Sequence, residues 1–191
     1  MSDDLPYYET MYGIYTVDWK WSYGLGLFTN THYSLTKEYI NEGCNTVDHT
    51  HLASGSNTLL FLYPHWIKKQ YYIEGVVEGQ FTLSCDTANS VLTSYRVRLM
   101  KVNSLGVTDW LGDTNVITPT TVNFTWNGTL GVGDEWVYPY YINIDVEKKV
   151  LDDERLYVEL TIVVADTKMI LYHSNDATWE DFKISIPFRG L

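Results

Sequence analysis

The sequence predicts an all-β fold, an antiparallel β-sandwich that is jelly-roll-like, because its apolar residues recur at every second position. The clearest such segment is 156–164, and another is 182–188. A period of two sends successive side chains to opposite faces of a strand, and no stretch of comparable length shows a helical period. Eight or more such segments, roughly ten residues apart and separated by turn sequences, are typical of a sandwich or a barrel.

The strands of the first half follow from the same pattern. Residues 59–63 are apolar at every position, which predicts a strand buried on both faces. Residues 71–85 form a long strand candidate, in which Gly75 and Gly79 are predicted bulges. A jelly roll accommodates this many strands, whereas the alternative, an immunoglobulin-like sandwich, usually needs fewer residues and a Cys…Trp…Cys spacing that is missing here.

The later strands each present one apolar face. Segment 95–99 turns Arg96 and Arg98 away from the core, and segments 122–126 and 142–146 follow the same alternation. In the two strongest strands the predicted buried set consists of Leu156, Val158, Leu160, Ile162 and Val164, followed by Phe182, Ile184, Ile186 and Phe188.

The chain divides into two parts by composition. Residues 1–57 are rich in aromatic residues and alternate weakly, so we expect an extended N-terminal arm that docks on a partner or on the parent domain. Residues 58–191 carry the regular strand signals and form the predicted β-sandwich domain. The 16 Tyr and 7 Trp exceed what one core needs, which indicates a contact surface and a homo-oligomer with a trimer favoured. The alternative is the general preference of strands for aromatic residues.

Charge and hydropathy exclude several classes of partner. The net charge is −11 and there is no basic cluster, so we expect no nucleic-acid binding. Apolar runs are much shorter than the roughly 20 residues of a membrane helix, and the N-terminus lacks the pattern of a signal peptide, so we expect synthesis in a cytosol and no membrane partner. Cys44 and Cys85 are predicted to be free buried thiols, with a single bridge as the alternative.

Residues 48–51, Asp-His-Thr-His, are the strongest candidate for a metal site. On a strand His49 and His51 would point to the same side, and Cys44 is the soft ligand nearest to them. Two imidazoles alone bind a metal weakly, and a cupin motif would need a glutamate that does not follow here. We therefore predict no metal, no cofactor and no catalytic residue, with a Cys44–His49–His51 site as the rival interpretation.

Other candidate chemistry has an ordinary structural explanation. Carboxylates cluster in 152–154 and 180–181, where turns commonly carry solvated acids, and Glu78 cannot be paired with a second acid from sequence. No G-x-S-x-G, H-E-x-x-H, P-loop or C-x-x-C motif is present. Exposed indole rings would stack on sugars, whereas buried ones would only pack; the candidates are Trp19, Trp21, Trp110, Trp126, Trp136 and Trp179.

The order of strands and turns in 71–191 resembles the small jelly-roll virion proteins of tailed bacteriophages and archaeal viruses. The resemblance lies in 94–101, the threonine-rich 118–126, the turn and strand 153–161, and the closing segments 171–176 and 184–188. It implies a non-enzymatic capsid decoration, cement or fibre-base protein that is located in the virion and contacts the major capsid protein or a fibre. A carbohydrate-binding module or a host-receptor adhesin is the alternative, so a glycan is a candidate ligand.

Overall fold

The computed structural model describes residues 7–16, 33–36, 46–47, 49–63, 66–68, 70–85, 90–119, 123–124, 138–165, 169–172 and 182–190. These residues form β-strands and no helix, so none of their segments is a helix that could span a membrane. The predicted all-β antiparallel sandwich is confirmed. The strands are β1 Tyr7–Thr16, β2 Tyr33–Thr36, β3 Thr46–Val47, β4 His49–Leu52, β5 Gly55–Leu62, β6 Tyr71–Cys85, β7 Ser90–Asn103, β8 Thr108–Asp113, β9 Asn123–Phe124, β10 Tyr138–Leu151, β11 Glu154–Val164, β12 Met169–Tyr172 and β13 Lys183–Gly190.

The strands form two layers that share one core. In the first sheet β6 is central, with β10 on one edge and β13 and β12 on the other; β1 follows β13, and β4 follows β12. The second sheet has the order β5-β11-β7-β8. Strand β2 joins the two sheets, because it pairs with β1 and also makes one parallel pair, Ser34 with Leu62, to β5.

The alternation predicted from the sequence gives the inner faces of both sheets. All nine apolar side chains predicted to be buried in 156–164 and 182–188 are at most 7 % exposed. Strand β7 turns Val97 and Leu99 inward, while Arg96 and Arg98 lie on its outer face, as predicted. Each buried aliphatic side chain contributes roughly 1.5–3 kcal/mol, so this double-layer core is the main source of stability.

Aromatic rings connect the two layers. Phe61 of β5 stacks on Phe182 just before β13, with ring centroids 4.2 Å apart. Phe81 of β6 meets Tyr95 of β7 edge to face at 5.0 Å, and Tyr140 of β10 lies 5.3 Å from Phe81. Part of the high aromatic content is therefore core packing.

Two glycines allow backbones to approach closely. Gly75 has φ +123° and lies where the pairing of β6 with both neighbours shifts register, so the predicted bulge is present. The predicted bulge at Gly79 is wrong, because Gly79 pairs in regular register with Ile184 and Ile142. Its lack of a side chain serves packing instead, since a Cβ there would collide with the carbonyl oxygen of Lys183.

Gly112 has the corresponding role where the edge strands of the two sheets meet. A Cβ at Gly112 would approach the Cγ2 atoms of Ile144 and Val146 to 2.5 and 3.0 Å. Strand β8 therefore lies directly against β10, and this contact closes one side of the sandwich.

Strand β1 makes the N-terminal part of the described chain a member of the first sheet. Tyr7–Tyr12 pairs antiparallel with Lys183–Phe188, and Met11 is fully buried. Buried Glu9 accepts a hydrogen bond from the Tyr63 hydroxyl at 3.1 Å. The boundary predicted between residues 57 and 58 falls inside β5, so the strand pattern does not separate an arm from the sandwich there.

Candidate functional site

The histidine pair lies on the edge strand β4. His49 and His51 pair with Tyr172 and Ile170 of β12, and the side chain of His51 is exposed. Among the residues that the structure describes, no three His, Cys, Asp or Glu side chains are grouped to hold a metal ion. Cys44, Asp48 and the side chain of His49 lie outside the described part, so the rival Cys44–His49–His51 site stays a prediction.

The acidic turn between β10 and β11 has structural partners. Glu154 pairs with Lys101 at 2.7 Å, and Asp152 accepts a hydrogen bond from the Gln70 side chain at 3.3 Å. Asp153 has φ +51°, a conformation common in tight turns for aspartate. Glu180 and Asp181 lie outside the described residues. Of the indole candidates, Trp110 is 56 % exposed on β8, and Trp19, Trp21, Trp126, Trp136 and Trp179 also lie outside.

The outer face of the first sheet carries a polar groove of about 350 Å³. It lies over three adjacent strands, because Ser185 of β13 pairs with Glu78 of β6, and Glu78 pairs with Asn143 of β10. The neighbouring row consists of Lys183, Gln80 and Tyr141 in the same strand order. The backbones of Gly79 and Ile142, between the two rows, complete the lining.

The charges of this groove are not neutralised by each other. Glu78 and Lys183 are diagonal neighbours, and neither has an ion-pair partner within 4.0 Å or a side-chain hydrogen bond in the described part of the chain. Glu78 is exposed and Lys183 is half-buried. The groove therefore offers an anionic acceptor and a cationic donor on adjacent strands.

The outer face of the second sheet is different, because its charges are paired. Arg96 binds Asp113, with its Nε 3.0 and 2.9 Å from the two carboxylate oxygens, and Arg98 Nε lies 2.8 Å from Glu159. Burial would raise the pKa of Asp113, but its hydrogen bonds from Arg96 and from the Asn115 N–H lower it below its usual value. The same hydrogen bond raises the pKa of Arg96, so both groups stay charged.

Ser185 is the nucleophile-type side chain of the groove. Its hydroxyl lies 2.8 Å from the Thr10 hydroxyl on β1. A threonine hydroxyl is not a general base near neutral pH, and His51, the one histidine whose side chain is described, lies on another strand, β4. Among the residues that the structure describes, the hydrogen-bond partner of the Ser185 hydroxyl is Thr10 rather than a general base.

Sequence reasoning noticed Glu78 but did not find the groove. Its six polar or aromatic side chains come from three segments that are about 40 to 60 residues apart, and alternation gives the face of a side chain without its neighbour on the next strand. The signal that was available is the exposed set on each strand, in particular Lys183 and Ser185 between buried positions of β13.

No protein-family model and no curated protein matches this sequence. Solved structures resemble its fold. A CocE/NonD family hydrolase from Staphylococcus aureus matches over 98 % of this chain and 37 % of its own, at 10 % identity and TM-score 0.60. A second structure of a CocE/NonD family hydrolase from the same organism matches over 94 % of this chain and 36 % of its own, at 9 % identity and TM-score 0.51. An α-amino acid ester hydrolase matches over 95 % of this chain and 36 % of its own, at 8 % identity and TM-score 0.57.

These neighbours correct the functional predictions. The expected non-enzymatic virion protein, and with it the alternative of a carbohydrate-binding module or adhesin, is contradicted because the similar structures are hydrolases. The prediction that the chain is not an enzyme is corrected by the same finding. The physical reason is that alternation and turn chemistry encode the packing of two sheets, and one such architecture hosts many functions. At 8 to 10 % identity the similarity establishes the fold, and this chain spans a little over a third of the length of those hydrolases.

Proposed function

We propose that this chain is the β-sandwich portion of a hydrolase, and that it works beside a catalytic portion that cleaves an ester or an amide. The observation that carries the proposal is the fold similarity, which extends over 95 to 98 % of this chain and over 36 to 37 % of two hydrolase chains. In those proteins the larger part of the chain lies outside the similar region. A partner portion of that kind would supply the reacting groups.

The described surface has an apolar stripe suited to contact such a portion. It covers the edge strand β8 and the residues on either side of it, and we call it the β8 stripe. Its members are Leu105 (84 % exposed), Val107 (62 %), Trp110 (56 %) and Val116 (63 %). Large apolar side chains that are this exposed are typical of surfaces that contact another protein. The polar groove lies on the outer face of the other sheet, so contact through β8 would leave it open to a ligand.

The test is hydrolysis by the protein recovered from its native source. Tagged chain would be expressed there, precipitated, and assayed with p-nitrophenyl butyrate and with a p-nitroanilide of an amino acid. We expect hydrolysis well above that of a precipitate from untagged cells. Trp110→Lys should lose most of it, because a charge in the β8 stripe disrupts an apolar contact. Tyr71→Lys, at an exposed aromatic residue outside the stripe, is the matched control and should keep it.

The proposal fails if the wild-type precipitate hydrolyses neither substrate. If the Trp110→Lys precipitate still hydrolyses the substrates, the proposed hydrolase stands, but the β8 stripe is not the surface that contacts its catalytic portion. Thermal melting of both variants separates a lost contact from a lost fold.

A further inference from the structure

We infer that the polar groove is a binding site for a small zwitterion, namely a peptide of two or three residues with a free ammonium and a free carboxylate. Glu78 and Lys183 face the same groove with opposite charges and without partners in the described part of the chain. On the outer face of the second sheet, by contrast, the arginine charges are neutralised. Arg96 binds Asp113, and Arg98 binds Glu159. Charges that are left open in a groove are available for a ligand.

The strand register sets the length of that ligand. Glu78 pairs with Ser185, and Lys183 is two residues away along β13, so the two residues are diagonal neighbours whose Cα atoms lie roughly 7–8 Å apart. A peptide chain extends at most about 3.3–3.6 Å per residue, so two or three residues bridge this separation. Its ammonium would lie on Glu78 and its carboxylate on Lys183. The volume, about 350 Å³, lies at the lower end of ordinary ligand sites, which are roughly 300–1,000 Å³.

The neighbouring side chains suit the middle of such a peptide. Asn143 lies beside Glu78 on β10, and its amide can both donate to and accept from a peptide group. Tyr141 is 71 % exposed at the edge of the groove and offers a flat apolar ring to a ligand side chain. We therefore expect a preference for a peptide with an apolar C-terminal residue. If the proposed function holds, this peptide chemistry also describes the substrate or product that the sandwich presents.

The experiment is isothermal titration calorimetry of the full chain with three probes that differ in charge. Ala-Phe has both charges, N-acetyl-Ala-Phe lacks the ammonium, and Ala-Phe-amide lacks the carboxylate. We expect Ala-Phe to bind at least about tenfold more tightly than either analogue, since each lost charge removes one charge-assisted hydrogen bond. Glu78→Gln should weaken Ala-Phe and leave the N-acetyl probe unchanged, and Lys183→Gln should weaken Ala-Phe and leave the amide probe unchanged.

Glu147→Gln is the matched control, because Glu147 is an exposed carboxylate of β10 that does not line the groove. The inference is overturned if Ala-Phe does not bind at millimolar concentration, if all three probes bind equally, or if the control variant has the effect of Glu78→Gln. The inference would also be overturned if maltotriose displaces Ala-Phe and binds the Glu78→Gln variant as tightly as it binds the wild-type protein. Calorimetry measures binding in the absence of hydrolysis. A failure to bind Ala-Phe would therefore not change the result of the precipitation assay, and a failure of that assay would not change the binding result.

Discussion

Tyr95 is a core residue whose hydroxyl gives the fold an alkaline limit. Its ring lies 5.0 Å from that of Phe81 and 5.4 Å from that of Tyr140, and burial raises the pKa of its hydroxyl above 10.0. The folded state thus holds this proton more tightly than the unfolded chain. The resulting stability is complete below about pH 10 and is lost as pH rises through the higher pKa of the folded state.

We therefore expect the free energy of unfolding in urea to fall as pH rises above about 10. Tyr95→Phe should fall less over this range, although Tyr63 and Tyr157, whose pKa values are also raised by burial, keep part of the effect. Urea titrations of both proteins at several pH values measure it. Parallel curves would show that Tyr95 has the same proton affinity in both states.

Gly79 is a position where one methyl group should be costly. In Gly79→Ala the new Cβ would meet backbone atoms of the neighbouring strand, namely the Lys183 oxygen and, at 3.1 Å, the Ile184 Cα. Backbone cannot rotate away as a flexible side chain does, so we expect a loss of roughly 1–3 kcal/mol in the free energy of unfolding.

Gly190→Ala is the matched control for Gly79→Ala, because nothing lies within 4 Å of a Cβ there. Urea unfolding of both variants gives the comparison. Equal stability of the two variants would mean that β6 and β13 separate enough to accept the methyl group.

At the scale of elements, the β7–β8 pair depends on the Arg96–Asp113 ion pair. The Asp113 side chain is 5 % exposed, and its pKa lies below 3.8 because the Arg96 and Asn115 hydrogen bonds outweigh its burial. A carboxyl group with a lowered pKa contributes stability above its unfolded pKa and loses it as pH falls through the folded one. The contribution of Asp113 is therefore present at pH 7 and disappears below about pH 4.

Asp113→Asn should be less stable than wild type at pH 7 and should approach it in strong acid. Leaving a charged guanidinium without its partner costs roughly 1–3 kcal/mol. Glu147→Gln, at an exposed carboxylate of β10, should change little at either pH. Chemical unfolding at pH 7 and near pH 3 measures both. A constant difference between Asp113→Asn and wild type across this range would contradict the linkage.

The strands that could be predicted are those whose alternation is long and unbroken. Predicted segment 71–85 coincides with β6, and 156–164 lies within β11. For Gly79 the sequence signal was ambiguous, because a glycine inside a strand marks either a bulge or a close backbone approach. Only the pairing partner distinguishes the two, and that partner, Ile184, is more than 100 residues away.

The groove could be predicted only in part for the same reason. Alternation places Lys183 and Ser185 on the outer face of β13, and it places Asn143 on the outer face of β10. Whether these faces are adjacent depends on both strands pairing with β6, which is long-range information. A period of two carries none of it, so the site emerges from topology rather than from a motif.

At the scale of the whole molecule, a homo-oligomer with a trimer favoured stays a prediction from the Tyr and Trp content. Native mass spectrometry at micromolar concentration should then give three times the chain mass of 22.1 kDa. A mass of one chain would remove the prediction. If Trp110→Lys converts a trimer to monomers, the β8 stripe is the contact between copies of this chain. The proposed catalytic portion would then have to bind elsewhere.

The pairing of β1 with β13 has a consequence for how the sandwich can be joined to other polypeptides. Tyr7 lies opposite Phe188, so the first and last described strands enter and leave at one corner, about 4.8 Å apart. A unit with this geometry can be spliced into a surface loop of a host protein as a cassette without stretching either junction. The same pairing predicts that a circular permutant is tolerated in which a short glycine linker joins β13 to β1 and the new ends lie beside Leu105, which is 84 % exposed. Such a permutant should melt cooperatively near the wild-type temperature, and a chain that stays unfolded would show that strand order along the sequence, and not only in space, is required.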